Sequence, residues 1–170
     1  MKGAELLDEC PRLRVEPMVF KDSSDWWRAI WCDAEVTRYL PSRRPLSHEQ
    51  MERLMQKMAE HWEAHGFGVW ALRDRTLGSL VGHCGLMVNE PPDVELIYAV
   101  ARSMWGQGLA TEAATCVLAH AFGKLGLDCV IALVIPENTA SIRILEKLSF
   151  VSEGEIHRFG TQLLRYIRRK

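Results

Sequence analysis

Residues 94–114 read VELIYAVARSMWGQGLATEAA and change backbone character twice. Residues 94–100 are mostly β-branched, aromatic or large and apolar, which suits a largely buried strand. Gly106 and Gly108 then remove Cβ atoms where the backbone must turn sharply. Residues 111–121 are good helix formers, and Leu109, Ala113, Val117 and Ala121 form an apolar stripe. Strand, glycine turn and helix in that order point unpaired N–H groups and a positive dipole end at the turn. An anion such as a pyrophosphate fits there. Residues 129–135 are a nearly continuous apolar run, as expected of an interior strand. The strand-helix-strand unit so formed requires a right-handed crossover and a parallel strand pair.

Two better-known phosphate motifs are excluded. No Gly-Lys-Ser/Thr follows the turn, so it is not a P-loop, and G-x-G-x-A late in the chain is not the G-x-G-x-x-G of an early βαβ unit. The glycines alone leave open a bare turn with no ligand. The neighbouring letters narrow the choice. Trp105-Gly106-Gln107-Gly108-Leu109-Ala110 resembles the acetyl-CoA pyrophosphate loop of the GNAT superfamily of N-acetyltransferases, R/Q-x-x-G-x-G/A. Trp105 replaces the leading Arg or Gln, a form resembling the ribosomal-protein (RimJ/RimL-like) branch, W-G-x-G-x-A-x-E-A. A second block from Asn138 to Phe150 is similar to that branch's N-x-x-S-x-x-x-x-E-K-x-G-F, with Ser149 where Gly is usual. The resemblance extends over nearly the whole chain.

This resemblance implies an α/β (α+β) fold: a mixed, mostly antiparallel sheet of about seven strands with flanking helices, residues 1–170 forming one domain. Acetyl-CoA would lie in a splay between the two parallel central strands, with no metal. Tyr98, Ala99 and Val100 would offer backbone groups to pantetheine, and residues 105–110 would hold the pyrophosphate. Asn138 would bond pantetheine or an ordered water, besides capping its helix. Many members carry a Tyr seven positions after the Asn; Leu145 stands there, and Ser141 matches the Ser of the branch. Ser141 is thus the candidate donor to the leaving thiol, against a plain helix-surface serine. A backbone N–H among residues 97–99 would meet the oxyanion.

Acyl transfer also needs a base to deprotonate the incoming ammonium. Glu95 is the candidate, because a carboxylate in a central strand is costly unless it faces a cleft or is paired. The alternative is a rim carboxylate in an ion pair. Glu112 matches the motif too, but a carboxylate in the first helical turn is better explained by the dipole and by bracing. The resulting expectation is an acetyl-CoA-dependent N-acetyltransferase acting on a primary amine, a protein N-terminus or a small molecule, in a ternary complex. A non-catalytic acyl-CoA-binding module and a transferase for another acyl group such as succinyl are the alternatives; Arg43 and Arg44 suit a carboxylate-bearing reactant. A homodimer is compatible with this reading.

The remaining features bound these expectations. A net charge of −1 argues against non-specific nucleic-acid binding. No apolar run is long enough to span a bilayer, and residues 1–10 carry acids rather than a signal-peptide pattern. The five cysteines, Cys10, Cys32, Cys84, Cys116 and Cys129, are scattered without C-x-x-C. Their odd number fits a reduced, cytoplasmic protein in which they act as small buried hydrophobes rather than nucleophiles or metal ligands.

Local patterns place the other elements. Residues 12–15, 67–72 and 79–88 read as strands, and residues 36–45 as a loop. Asp22, Ser23, Ser24 and Asp25 offer a cap for a helix through Trp26, Trp27, Ile30 and Trp31. Ser47 and Gln50 form a capping box for a helix reaching about His65, with Met51, Leu54, Met55, Met58 and Trp62 on one face. Trp26, Trp27, Trp31, Tyr39 and Trp62 are either core or, by the resemblance, acceptor-pocket walls. His83 reads as a satisfied core histidine. Residues 151–158 and 163–168 close the sheet as a hairpin through Phe159 and Gly160, and the basic end from Arg165 to Lys170 reads as a charged edge strand.

Overall fold

The computed structural model describes residues 6–7, 10–19, 23–158 and 160–170. Asp22 and Phe159, expected in a cap and a turn, lie outside them, as do residues 1–5 and 8–9. The strands are β1 (Leu13–Pro17), β2 (Val69–Asp74), β3 (Leu80–Glu90), β4 (Asp93–Val100), β5 (Cys129–Val134), β6 (Val151–Arg158) and β7 (Thr161–Arg169). They form one seven-stranded sheet in the order β1-β2-β3-β4-β5-β7-β6. Every pair is antiparallel except β4 and β5. The helices are α1 (Ser23–Trp26), running into a wider π turn at Trp27–Trp31, then α2 (Ala34–Thr37), α3 (His48–His65), α4 (Leu109–Gly123) and α5 (Thr139–Lys147). The expected α/β architecture is the one observed.

The sheet separates two apolar layers. On one face Leu72, Leu86, Leu96 and Val100 pack with Ala113, Val117 and Ala121 of α4 and Leu145 of α5. On the other Val69, Ala71 and Ala99 pack with Trp26, Ile30 and Trp31 and with Met51, Met55 and Met58 of α3. The stripe of α3 is therefore core along its buried members, with Leu54 only partly covered. Its capping box forms as read: Ser47 accepts from the Gln50 N–H and Gln50 accepts from the Ser47 N–H.

Three expectations are corrected. The basic end is not an edge. β7 lies between β5 and β6, so β6 is the outer strand, and arginines of β7 find partners on other strands and on α4. Arg165 pairs with Asp93 and Glu153, and the Arg168 guanidinium lies 5.4 Å from the ring centre of Phe122. Pairing order is long-range information that a charged run does not carry. Second, residues 36–37 belong to α2, whose N-cap is Asp33, rather than to a loop.

Third, the cysteines are not all reduced. Cys10 and Cys116 form a disulfide that clips the segment before β1 onto α4. They are 106 residues apart in sequence, so no spacing rule reveals the pair. Cys32 is exposed, and of the three free thiols Cys84 alone is buried. Burial pushes the Cys84 thiol well above its ordinary range, which leaves it un-ionised.

The chain leaves α5 through Ser149, whose φ of 62° is left-handed without the glycine that conformation favours. Ser149→Gly is expected to raise stability by about 0.5–1 kcal/mol and the melting temperature by roughly 2–4 °C. A calorimetric scan showing no rise would mean that the Ser149 side chain compensates its own strain.

Candidate active site

The site begins where β4 and β5 stop pairing. Their parallel ladder has one registered pair, Glu95 with Ile131, after which the strands diverge. Pairing of β4 with β3 continues to Val100, and the Ala101 N–H donates to the Val81 carbonyl at 2.8 Å. Alternation along that ladder turns the peptide groups of Ala99 towards β3 and those of Tyr98 and Val100 towards the gap. The Val100 carbonyl is already used: the Trp105 indole N–H donates to it at 2.7 Å. Trp105 thus pins the glycine turn back onto β4, a physical reason for an indole at that position.

Gly106 and Gly108 have φ of 74° and 76°. A Cβ on either would meet no clash, so backbone conformation rather than crowding selects glycine there. Gly108 is the N-cap of α4 and provides no side-chain cap, unlike Asp33, Ser47 and Asn138 at α2, α3 and α5. The first N–H groups of α4 face the turn without a side-chain partner at the cap. Glu112, in the first turn, is engaged by the chain's start. Its carboxylate accepts from the Arg12 N–H and from Arg12 Nε, each at 2.7 Å, and Arg12 Nη1 donates to the Gln107 carbonyl at 2.8 Å. Bracing is the role that this geometry gives Glu112.

Turn, gap and α5 enclose a cleft of about 430 Å³. Of the residues singled out from sequence, Tyr98, Ala99, Val100, Trp105, Gly106, Gly108, Leu109, Ala110, Asn138 and Ser141 all line it. Gln107 and Glu95 are not among its walls. The Gln107 side chain is exposed and turns to the Ser103 carbonyl. Glu95 is buried on β4, and by alternation it shares the face of Ile97 and Ala99, opposite to Tyr98.

Inside the cleft the Asn138 side chain accepts from the Ser141 N–H at 3.1 Å. The Ser141 hydroxyl lies 2.6 Å from the Tyr98 phenol oxygen. The phenol is partly buried, and that desolvation raises its pKa and keeps it protonated. Sequence reading valued Tyr98 for its peptide groups and missed the side chain. It also missed Arg143 and Lys147, whose spacing of four along α5 was the available signal for two cations on one wall. Tyr39 lines the cleft as well, whereas Trp26, Trp31 and Trp62 are core. Trp27 is half-buried and donates to the Leu46 carbonyl.

Behind the site His83 is buried across the ladder from Ala99. The Trp26 indole donates to its Nδ1 at 2.8 Å, and burial pushes its pKa down to about 3. It is the satisfied core histidine that the sequence suggested.

The acetyltransferase (GNAT) domain model matches residues 12–151. The chain belongs to the GNAT acetyltransferase family. Among curated proteins this GNAT chain is 30% identical to a Bacillus licheniformis protein named uncharacterized N-acetyltransferase p20, over 84% of this chain and 81% of that protein. Among solved structures it resembles a GNAT-family acetyltransferase from Bordetella pertussis, at 26% identity and a TM-score of 0.82, covering 96% and 99% of the two chains. It also shares its fold with RimL, a ribosomal L7/L12 alpha-N-protein acetyltransferase solved in complex with coenzyme A. That match has 15% identity and a TM-score of 0.83, covering 97% and 98%. Family and fold together make the chain an N-acetyltransferase. No helix among the described residues is long and apolar enough to cross a membrane.

Proposed function

We propose that this GNAT domain transfers an acetyl group from acetyl-CoA to a primary amine, a protein N-terminus or a small molecule, by direct attack in a ternary complex. The observation that carries the reading is the gap after the Glu95–Ile131 pair, opening onto a glycine turn at a helix start. The residues present fit the co-substrate. Uncapped N–H groups of α4 suit a pyrophosphate, Arg143 and Lys147 supply positive charge beside it, and the Tyr98 carbonyl and Val100 N–H suit the pantetheine amides. When bound, acetyl-CoA supplies the activated acyl carbon and a thiolate leaving group.

The chain's own residues then have three tasks. The Tyr98 N–H, turned into the gap, stabilises the oxyanion; a preorganised donor of this kind contributes roughly 3–4 kcal/mol to the barrier. Ser141 donates to the leaving sulfur. Glu95, on the opposite face of β4, takes the ammonium proton through water. At about 3.3 Å per residue it is roughly 10 Å along the strand from Tyr98, too far for direct contact with the thioester.

An amine screen comprising N-terminal peptides and small amines, read by thiol release, tests the function. No release from any acceptor, with acetyl-CoA still bound, would make the domain an acyl-CoA-binding module. A second measurement tests the base. Glu95→Gln is expected to preserve acetyl-CoA affinity while moving the acidic limb of the pH–rate profile towards the acceptor amine's own pKa. A limb that overlays the parent's would make Glu95 structural.

A further inference from the structure

The phenol of Tyr98 has no part in the reading above, yet it reaches across the cleft to Ser141. It rises from β4, crosses the gap and meets Ser141 on the first turn of α5 at 2.6 Å, with the Ser141 carbonyl at 3.4 Å. One hydrogen lies between the two hydroxyl oxygens, and chemistry decides whose it is. A phenol is the stronger donor and the weaker acceptor of the two, so the short bond runs from Tyr98 to Ser141. The opposite polarity would leave the phenol hydrogen with the 3.4 Å carbonyl contact, a poorer partner. Ser141 is fixed from the other side too, since its N–H is held by Asn138 at 3.1 Å. With one lone pair of Oγ filled by Tyr98, the serine hydrogen is left to point into the cleft.

We propose that Tyr98 is a positioning residue for acyl transfer: its phenol holds the Ser141 hydroxyl with the hydrogen aimed at the leaving sulfur. This rests on the reading of Ser141 as the thiol-side donor. Chained hydroxyls polarise one another, so the phenol also strengthens the bond that Ser141 gives. No covalent bond to either residue forms. As the amine nitrogen bonds the acyl carbon, the electron pair of the breaking C–S bond goes to sulfur, which receives the Ser141 hydrogen bond. The proton shed by the amine ends on the thiol or in water. Burial keeps Tyr98 protonated, which suits a fixed donor and not a base.

The test compares Tyr98→Phe, Ser141→Ala and the double variant, each with two readouts. The first is kcat beside the dissociation constant for acetyl-CoA. The second is the titration of the thiol of bound coenzyme A, followed by thiolate absorbance, which a purely structural role would not move. Ser141→Ala is expected to lower kcat about tenfold, and Tyr98→Phe about threefold, with affinity within twofold of the parent. Both should raise the bound thiol's pKa, and Tyr98→Phe should add nothing in the Ser141→Ala background. If Ser141→Ala shifts both readouts while Tyr98→Phe shifts neither, or acts equally in both backgrounds, the positioning role is overturned and Ser141 stands. If Ser141→Ala itself shifts neither, the donor reading falls, and the proposal with it.

Discussion

Gly108→Glu lowers acetyl-CoA affinity by at least tenfold, about 1.4 kcal/mol or more, in isothermal calorimetry. Two costs combine. The residue sits at a φ of 76°, a left-handed conformation that disfavours any side chain by roughly 1–2 kcal/mol. The carboxylate also enters the mouth of a helix whose uncapped N–H groups await an anion. Gly108→Ala separates the two, because it shares the strain and lacks the charge. It should lose stability by a similar amount while retaining more of the affinity. Unchanged affinity in a folded Gly108→Glu protein would remove the pyrophosphate from this turn.

The second large effect is acid instability centred on His83. Above pH 6.5 the imidazole is neutral in both folded and unfolded chains and contributes nothing to the pH dependence. Below that, the unfolded chain binds a proton that the folded one refuses, because the folded pKa is held near 3. Stability therefore falls with falling pH by about 1.4 kcal/mol per unit across that window, some 2.5 kcal/mol between pH 6.5 and 4.5. His61 adds to the slope in the same sense. Its pKa is lowered mainly by burial and then by His65, while Nδ1 lies 3.0 Å from the Phe67 carbonyl and Nε2 accepts from the Val88 N–H. Urea denaturation at a series of pH values measures the effect. His83→Gln should flatten the slope by about one proton, and an unchanged slope would assign the acid sensitivity elsewhere.

Much of this was legible in the sequence because the signals were local. Turn glycines, the Ser47–Gln50 capping box and the Asn138 cap each involve residues within a few positions of one another, where backbone stereochemistry fixes the outcome. The ten cleft-lining residues singled out through the family resemblance lie in three short segments, 98–100, 105–110 and 138–141. What stayed hidden was long-range. Tyr98 meets Ser141 across 43 residues, and Arg12 reaches Gln107 across 95. The position of β7 inside the sheet depends on which strands pair, and its arginines carry no mark of that. Glu95 stands between the two cases. Its strand was readable, but the face it occupies follows from the ladder, and its role in proton transfer awaits the pH profile.

The divergence of β4 from β5 also bears on how sequences of this family can drift. Besides the Tyr98 phenol, β4 presents in the gap peptide N–H and C=O groups, which every residue except proline carries in full. Exchanging one side chain for another there leaves the donors and acceptors in place, provided the strand persists. A side-chain scan of this strand would register Glu95 and Tyr98 but not the peptide groups, which ordinary substitution cannot delete. The same property lets a chain change most of its letters without giving up the surface. The fold shared with RimL at 15% identity is a likeness of this kind, surviving in the backbone after most of the spelling has gone.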